Sequence, residues 1–173
     1  MKIRTCLIGL GNILMRDDGI GVHAVKEIEK RFSFTPAIDI LDGGTLGLAL
    51  LPLFEEYARV LFVDAVEAGL EPGAIVVKEG DEVPAFMESQ VSVHQAGLAD
   101  LMYAANLSDV MPSEVCLVGI QPQAIDLDLE PTALVAGKQE ELVQSVLARL
   151  GLWGIKATER ADHGLPNSIN RIH

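Results

Sequence analysis

The sequence has little cysteine and no long apolar run, and each shortage argues against a class of protein. Cys6 and Cys116 are its two cysteines, and both lie in apolar stretches typical of strands. We therefore expect two buried, reduced thiols in a cytoplasmic protein rather than a disulfide framework or a structural zinc site. No segment reaches the roughly 18 apolar residues of a membrane helix. Gly9 and Gly11 interrupt the apolar start of the chain, which indicates a first strand rather than a signal peptide.

Positive charge is also scarce. The chain has 25 Asp and Glu residues against 13 Lys and Arg residues, a formal net charge of −12. Because nucleic acids and anionic membranes bind proteins through basic patches, neither is expected as a partner. The acidic balance suits a cation or a basic protein segment. At 173 residues the chain is expected to form a single domain, with a polar tail that frays from about Ile155.

What is present is an alternation of strand and helix patterns along the chain. The predicted strands are residues 3–8, 37–41, 58–66, 74–80 and 114–122, and 114–122 is predicted to be the last. The predicted helices are residues 20–31, 45–57, one that begins at Ser92, and a final one that ends at Leu150 before Gly151. This order predicts a three-layer α/β fold. Its sheet is twisted, mostly parallel and five-stranded, with helices on both faces and one antiparallel edge strand, residues 74–80.

Ligands of such folds bind at the carboxyl ends of the strands, so the residues that follow each strand are the candidates. After the first strand come Gly9, Gly11 and then the adjacent pair Asp17 and Asp18. The dinucleotide fingerprint G-x-G-x-x-G fails, because its third glycine falls on Leu14. The two carboxylates also occupy the place where a helix N-terminus would hold phosphate. Capping of the helix end is the alternative role for both aspartates.

Two further aspartates follow predicted strands. Asp64 ends the most apolar strand, where a carboxylate is costly unless it is paired or bound to metal. A hydrogen-bonded loop anchor is the alternative role there. Asp42 is followed by Gly43 and Gly44, and turn chemistry is its alternative.

His94 is the histidine with the most distinctive setting. Ser92 and Gln95 have the spacing of a capping box, which predicts that a helix begins at Ser92. In the first turn of that helix the dipole disfavours an imidazolium, so His94 would keep a nitrogen lone pair for a metal. An ordinary surface or core position is the alternative. No serine or cysteine is placed with His94 in a way that suggests a covalent nucleophile.

The predicted fold brings Asp18, Asp64 and His94 to the same edge of the sheet. Two carboxylates and one imidazole form a three-ligand site with open positions, which suits a divalent first-row transition metal. A cation would also relieve the repulsion between the carboxylates. In this arrangement Asp17 serves the helix end while Asp18 faces the ion.

Five segments of the chain resemble those of the hydrogenase maturation proteases, which trim the large subunit of nickel–iron hydrogenases. In chain order they are "GLGNILMRDDGIGVHAV", "LDGGTLG", "VDAV", "VHQAGLAD" and "LVGIQP". The resemblance spans residues 1–150, and the tail after Gly151 has no counterpart in it.

The resemblance implies a fold and an activity. The family has a twisted five-stranded sheet flanked by helices and acts as a cytoplasmic monomer. Its members remove a C-terminal extension from the hydrogenase large-subunit precursor once nickel has been inserted, cutting after a basic residue of the metal-binding cysteine motif. The implied cofactor is nickel presented by the substrate, with another divalent metal as a substitute in vitro.

The resemblance also implies site residues. The metal-contacting and catalytic positions fall on Asp18, where some members have glutamate, on Asp64 and on His94. Asp42, Gly43 and Gly44 are auxiliary candidates near the site. Water activated by the metal or by a carboxylate would cut the peptide bond, and the sequence leaves that choice open.

Three alternative functions remain at this point. A peptidyl-tRNA hydrolase-like esterase also begins with an apolar strand and "GLGN", but it needs a basic face that a net charge of −12 does not supply. A nickel-dependent binding module or chaperone would recognise the metallated precursor without cutting it. A dinucleotide-binding domain would bind NAD.

Overall fold

The computed structural model describes residues 3–89 and 96–161 of the chain. Its strands are β1 Thr5–Leu10, β2 Phe32–Thr35, β3 Asp39–Gly44, β4 Arg59–Ala65, β5 Ile75–Glu79, β6 Glu114–Ile120 and β7 Lys156–Glu159. Its α-helices are α1 Ile20–Arg31, α2 Leu51–Glu56, α3 Glu82–Glu88, α4 Ala96–Leu107, α5 Ala133–Gly137 and α6 Gln139–Leu152. Short 3₁₀ helices, Arg16–Gly19 and Gly47–Leu50, precede α1 and α2.

Five strands form the central sheet in the order β3-β1-β4-β6-β5. The first four in this order run parallel, and β5 runs antiparallel to β6 at one edge. The predicted fold class, including the antiparallel edge strand, is therefore confirmed. Since β1, β3, β4 and β6 are parallel, their carboxyl ends lie along one edge of the sheet, which the loops after these strands cover.

Helices pack on both faces of the sheet and bury two apolar cores. On one face α1, α5 and α6 cover alternate residues of β1, β4 and β6, and on the other face α2, α3 and α4 cover the remaining ones. The apolar residues that recur at three- and four-residue spacing in α1, α4 and α6 are buried; they are Ile20, Ala24, Ile28, Leu98, Leu101, Met102, Ala105, Leu142, Val143, Val146 and Leu150. They face the sheet together because positions at this spacing share one helix face.

Cys6 and Cys116 are buried free thiols, as predicted. Burial raises the pKa of each thiol to about 12, because the thiolate would lose its hydration. Within the described residues, every helix is too short or too polar to cross a lipid bilayer.

Strand boundaries differ from the predictions at the first strand pair. Residues 3–8 and 37–41 were expected, whereas β1 is Thr5–Leu10 and β3 is Asp39–Gly44. Glycine suggested a strand end, but Gly9 pairs with Asp42 on one side and Val63 on the other. Gly9 is a strand residue, and glycine suits this position because α1 packs closely against it. A Cβ on Gly9 would lie 2.6 Å from the carbonyl oxygen of Gly21.

The predicted helix 45–57 is shorter than expected. A 3₁₀ turn, Gly47–Leu50, comes first, and α2 begins at Leu51. Pro52 explains the boundary, since a residue without an N–H suits the first turn of an α-helix and not its interior.

The end of the chain also departs from the predictions. The final helix is divided at Lys138 into α5 and α6, and α6 continues through Gly151 to Leu152. Gly154, with a φ of 77°, follows the helix end, where the N–H of Ile155 donates to the carbonyl of Leu150 (3.0 Å). This arrangement is a glycine C-cap three residues later than predicted.

The chain forms β7 after Ile155 rather than fraying there, so residues 114–122 do not contain the last strand; the rest of the predicted tail, residues 162–173, lies outside the described residues. β7 pairs antiparallel with β2, a strand that the sequence did not reveal. Ile155 is buried against α1 and α6 and anchors this two-stranded sheet. Each of these strands is only four residues long, too short to be recognised reliably from sequence, so their pairing depends on where α1 and α6 place them.

Candidate active site

A cavity of about 220 Å³ opens at the carboxyl edge of the sheet. Its wall is formed by the ends of β1, β3 and β4, the two 3₁₀ segments and the start of α4; the lining residues are Leu10, Gly11, Asp18, Gly44, Thr45, Gly47, Leu50, Asp64, Ala65, Gly97, Leu98 and Leu101. The acidic side chains of this lining are Asp18 and Asp64. Two of the three predicted site residues therefore meet in one cavity.

Asp64 lies near the end of β4, a strand that is buried from Val60 onward, and is itself buried. Loss of hydration raises the pKa of its carboxyl well above the ordinary value, and the neighbouring charge of Asp18 raises it further. A backbone hydrogen bond at Ala65 opposes the shift. A buried acid with a perturbed pKa in a cleft is typical of a functional site.

Asp18 belongs to the 3₁₀ helix that precedes α1, and it too is buried. The backbone N–H of Asn12 donates to its Oδ2 atom (2.8 Å), which binds the loop after β1 to this carboxylate. Gly11 makes the close approach possible, because a Cβ there would lie 1.8 Å from the carbonyl oxygen of Asp18. With two carboxylates in the crevice, the phosphates of a dinucleotide would be repelled.

The predicted role of Asp17 in capping α1 is wrong. Asp17 is 0% exposed, and the first turn of α1 has no side-chain cap. Its carboxylate instead accepts four hydrogen bonds from the loop between β6 and α5. The donors are the backbone N–H groups of Gln123 (2.8 Å), Ala124 (3.0 Å) and Thr132 (2.7 Å) and the hydroxyl of Thr132 (3.0 Å).

Arg16 also connects the segment before α1 to the loop between β6 and α5. Its guanidinium contacts Asp126 (3.2 Å) and Asp128 (2.8 Å), and its backbone N–H donates to the carbonyl of Asp128 (2.9 Å). Arg16 adopts a φ of 52°, which costs a non-glycine residue roughly 1–2 kcal/mol. These contacts offset that cost and hold the 3₁₀ helix that carries Asp18.

The auxiliary candidates lie in the turn that ends β3. Asp42 is exposed; its Oδ1 accepts from the N–H of Gly44 (3.0 Å), and its Oδ2 contacts Lys26 (3.0 Å). These are the turn contacts that the sequence allowed as an alternative. Gly44 lines the cavity, and Gly43 packs so closely that a Cβ there would lie 2.7 Å from the Ile8 side chain. A role for Asp42 toward the substrate stays a prediction.

His94 and the predicted helix start at Ser92 lie outside the described residues. α4 is described from Ala96, and its residues Gly97 and Leu98 line the cavity. Among residues 3–89 and 96–161, no group of three His, Cys, Asp or Glu side chains is arranged to hold a metal ion. The described residues thus supply the two carboxylates of the predicted set, and the imidazole stays a prediction.

Gln121 is a buried polar residue near the site that the sequence interpretation did not single out. Its Oε1 accepts from the N–H groups of Ala68 (2.8 Å) and Leu70 (3.2 Å), and its Nε2 donates to Glu67 (2.9 Å). It fixes the loop after β4, next to Asp64. A polar residue directly after an apolar strand was the available signal.

Comparison with known proteins identifies the family. The profile described as hydrogenase maturation protease matches residues 22–149. The hydrogenase expression/formation protein HupD of Rhizobium leguminosarum bv. viciae is 38% identical over 165 residues, covering 92% of this chain and 80% of HupD. The hydrogenase 2 maturation protease of Escherichia coli strain K12 is 33% identical over 159 residues, covering 91% of this chain and 97% of that protein.

Solved structures agree with the sequence relatives. The hydrogenase maturating endopeptidase HybD from E. coli superimposes with a TM-score of 0.86 at 34% identity, covering 92% of this chain and 99% of HybD. A nickel–iron hydrogenase maturation protease HybD from Thermococcus kodakarensis gives a TM-score of 0.70 at 26% identity, covering 86% of this chain and 99% of that one. The sheet, the cavity and these relatives lead to one conclusion: the chain belongs to the hydrogenase maturation protease family.

Proposed function

We propose that this protein is an endopeptidase that removes the C-terminal extension of a nickel–iron hydrogenase large-subunit precursor after nickel insertion. Family membership supports the protease activity and the hydrogenase precursor as substrate. The observation that carries the nickel requirement is the pairing of two buried carboxylates, Asp18 and Asp64, in one open cavity.

The electrostatics of the cavity favour a cation. Asp64 is held toward its neutral form by burial and by the charge of Asp18, so placing two carboxylates together in this cavity costs free energy. A divalent ion held by Asp18 and Asp64 would offset this repulsion, and carboxylate oxygens are suitable ligands for a first-row metal. We propose that nickel enters as part of the substrate, held by the precursor, and that Asp18 and Asp64 add ligands from the protease side.

His94 is proposed as the third protein ligand. It precedes α4 by two residues in the sequence, and the first turn of α4 contributes Gly97 and Leu98 to the cavity wall. This position in the chain supports an imidazole near the two carboxylates. A bound divalent metal would polarise a carbonyl and lower the pKa of a coordinated water, which promotes peptide hydrolysis; activation of the water by a carboxylate is the other route.

The decisive experiment incubates the purified protein with metallated and nickel-free precursor and follows the precursor mass by mass spectrometry. Shortening of the metallated precursor alone is the expected result. An unchanged mass with stable binding would instead identify a chaperone and refute the protease proposal. Asp64→Asn and His94→Ala should each abolish cleavage while they keep the fold, and normal cleavage by either variant would refute its assigned role.

We also propose that the protein acts as a monomer, as the family resemblance implies. Sedimentation velocity of the free protein tests this, and a stable dimer would contradict it.

A further inference from the structure

The loops beside the acidic cavity expose large apolar side chains. Ile13 and Leu14, in the loop after β1, are 39% and 50% exposed. Leu127 and Leu129, in the loop after β6, are 84% and 63% exposed. We call these four side chains the apolar platform. Single exposed leucines are common on protein surfaces, but a cluster of them at the edge of an active site is typical of a binding surface.

The two loops of the apolar platform are joined to each other. The N–H of Asp128 donates to the carbonyl of Leu14 (3.1 Å), and the N–H of Arg16 donates to the carbonyl of Asp128 (2.9 Å). Below them, the buried Asp17 carboxylate accepts its four hydrogen bonds from the loop after β6. The backbone that carries the platform side chains is therefore held in place before any partner arrives, which lowers the entropic cost of binding.

The apolar platform and the cavity share the loop after β1, which contributes Gly11 to the cavity wall. Asn12 donates its N–H to Asp18, and its side-chain Oδ1 accepts from the N–H of Leu14 (3.0 Å). One residue thus connects a cavity carboxylate to the first platform leucine. A polypeptide segment bound on the apolar platform would therefore lie beside the cavity.

The charges around the apolar platform select the chemistry of its occupant. Arg16 is shared between Asp126 and Asp128, and Glu130 is a third, exposed acid in the same loop. The local balance is acidic, in a chain whose net charge is −12. An acidic segment would be repelled, whereas apolar residues flanked by basic ones would be attracted.

We propose that the apolar platform docks an apolar, basic-flanked segment of the precursor next to the scissile bond. The inference rests on the proposed function, because it takes the occupant to be the protease substrate. Contact with the platform leucines supplies binding free energy away from the bond that is cut. Loss of these leucines should therefore raise the KM and the Kd for the precursor more than it lowers kcat.

The test compares two double variants that remove equally exposed leucines. Leu127→Ser with Leu129→Ser alters the apolar platform. Leu107→Ser with Leu152→Ser is the control, because these side chains are 76% and 72% exposed at the ends of α4 and α6, away from the cavity. Binding and cleavage of the precursor are both measured, and thermal unfolding confirms that both variants fold.

The platform variant should bind the precursor about tenfold more weakly than the control, equivalent to about 1.4 kcal/mol. Equal Kd and KM for the two variants, with wild-type cleavage intact, would overturn the platform while leaving the protease function standing. If the wild-type protein binds the precursor without cutting it, and only the platform variant binds it more weakly, the result would support the platform and refute the protease function.

Wild-type protein that neither binds nor cuts would overturn both. A wild-type dimer that the platform substitutions dissociate would show that a second copy is the occupant, and would also overturn the proposal.

Discussion

Replacement of Asp17 tests whether one buried carboxylate holds the active-site loops together. In Asp17→Ala, three backbone N–H groups and the hydroxyl of Thr132 lose their acceptor at distances of 2.7–3.0 Å. Each unsatisfied buried donor costs roughly 1–3 kcal/mol, but the loop can relax toward water, so we expect a total loss of about 3–5 kcal/mol.

Asp17→Asn should cost less, about 2 kcal/mol, because an amide oxygen still accepts from part of the donor set while its NH₂ opposes the rest. The assay is urea unfolding at neutral pH, with Asp109→Asn as the control. Asp109 is exposed and has a φ of 56°, a conformation that asparagine tolerates. For a chain of this size the alanine variant should also melt roughly 6–20 °C lower.

The same variants connect loop order to function. Because Asp17 supports the loop that carries Leu127 and Leu129, Asp17→Asn should raise the KM for the precursor even at temperatures where the protein stays folded. An Asp17→Ala unfolding free energy within about 0.5 kcal/mol of the control would refute the reasoning, since ordinary surface substitutions fall in that range.

Three further predictions concern buried groups. The raised pKa of Asp64 means that the folded protein keeps a proton that the unfolded chain releases, so stability falls as the pH rises above about 4. Asp64→Asn should therefore unfold at a higher temperature than wild type at pH 7, with a difference that closes as the pH falls toward 4; equal melting temperatures at pH 7 would contradict this. Cys6 and Cys116, whose pKa values are raised to about 12, should resist thiol reagents at pH 8 in the native state and react in urea. Gly21→Ala places a Cβ 2.2 Å from a backbone carbonyl of β4 and should cost about 3 kcal/mol or more, whereas Gly151→Ala, with open space around it, should stabilise α6 by about 0.4–1 kcal/mol; circular dichroism melts of the two variants decide the matter.

The elements that sequence analysis predicted well have strong local patterns. α1 has the predicted bounds, and Leu98, Leu101 and Met102 of α4 are buried because their spacing places them on one helix face. The convergence of Asp18 and Asp64 was predictable as well, since Asp18 follows β1 and Asp64 lies near the end of β4, and the carboxyl ends of parallel strands share one edge. The geometry of a parallel sheet brought these two residues together from a separation of 46 positions.

The elements that sequence analysis missed depend on distant partners. Asp17 looks like a helix cap because it lies just before a helix in the sequence. Its carboxylate oxygens instead accept hydrogen bonds from donors 106–115 residues away. β7 was predicted as a frayed tail because a segment of four residues, three of them polar, shows no strand pattern until β2 lies beside it. His94 remains a sequence prediction, outside the described residues.

The amino-acid sequence by itself determined the layered sheet, its buried helix faces and the two acids at one edge. Each follows from short-range periodicity and from residues placed directly after strands. Tertiary structure alone decided how that edge is supported. The buried carboxylate of Asp17 and the guanidinium of Arg16 hold the loops after β1 and β6, which are distant in the sequence, together beside the cavity. Hydrogen bonds between distant segments leave no period in the sequence, because a single acceptor can serve donors from any part of the chain that folding brings to it.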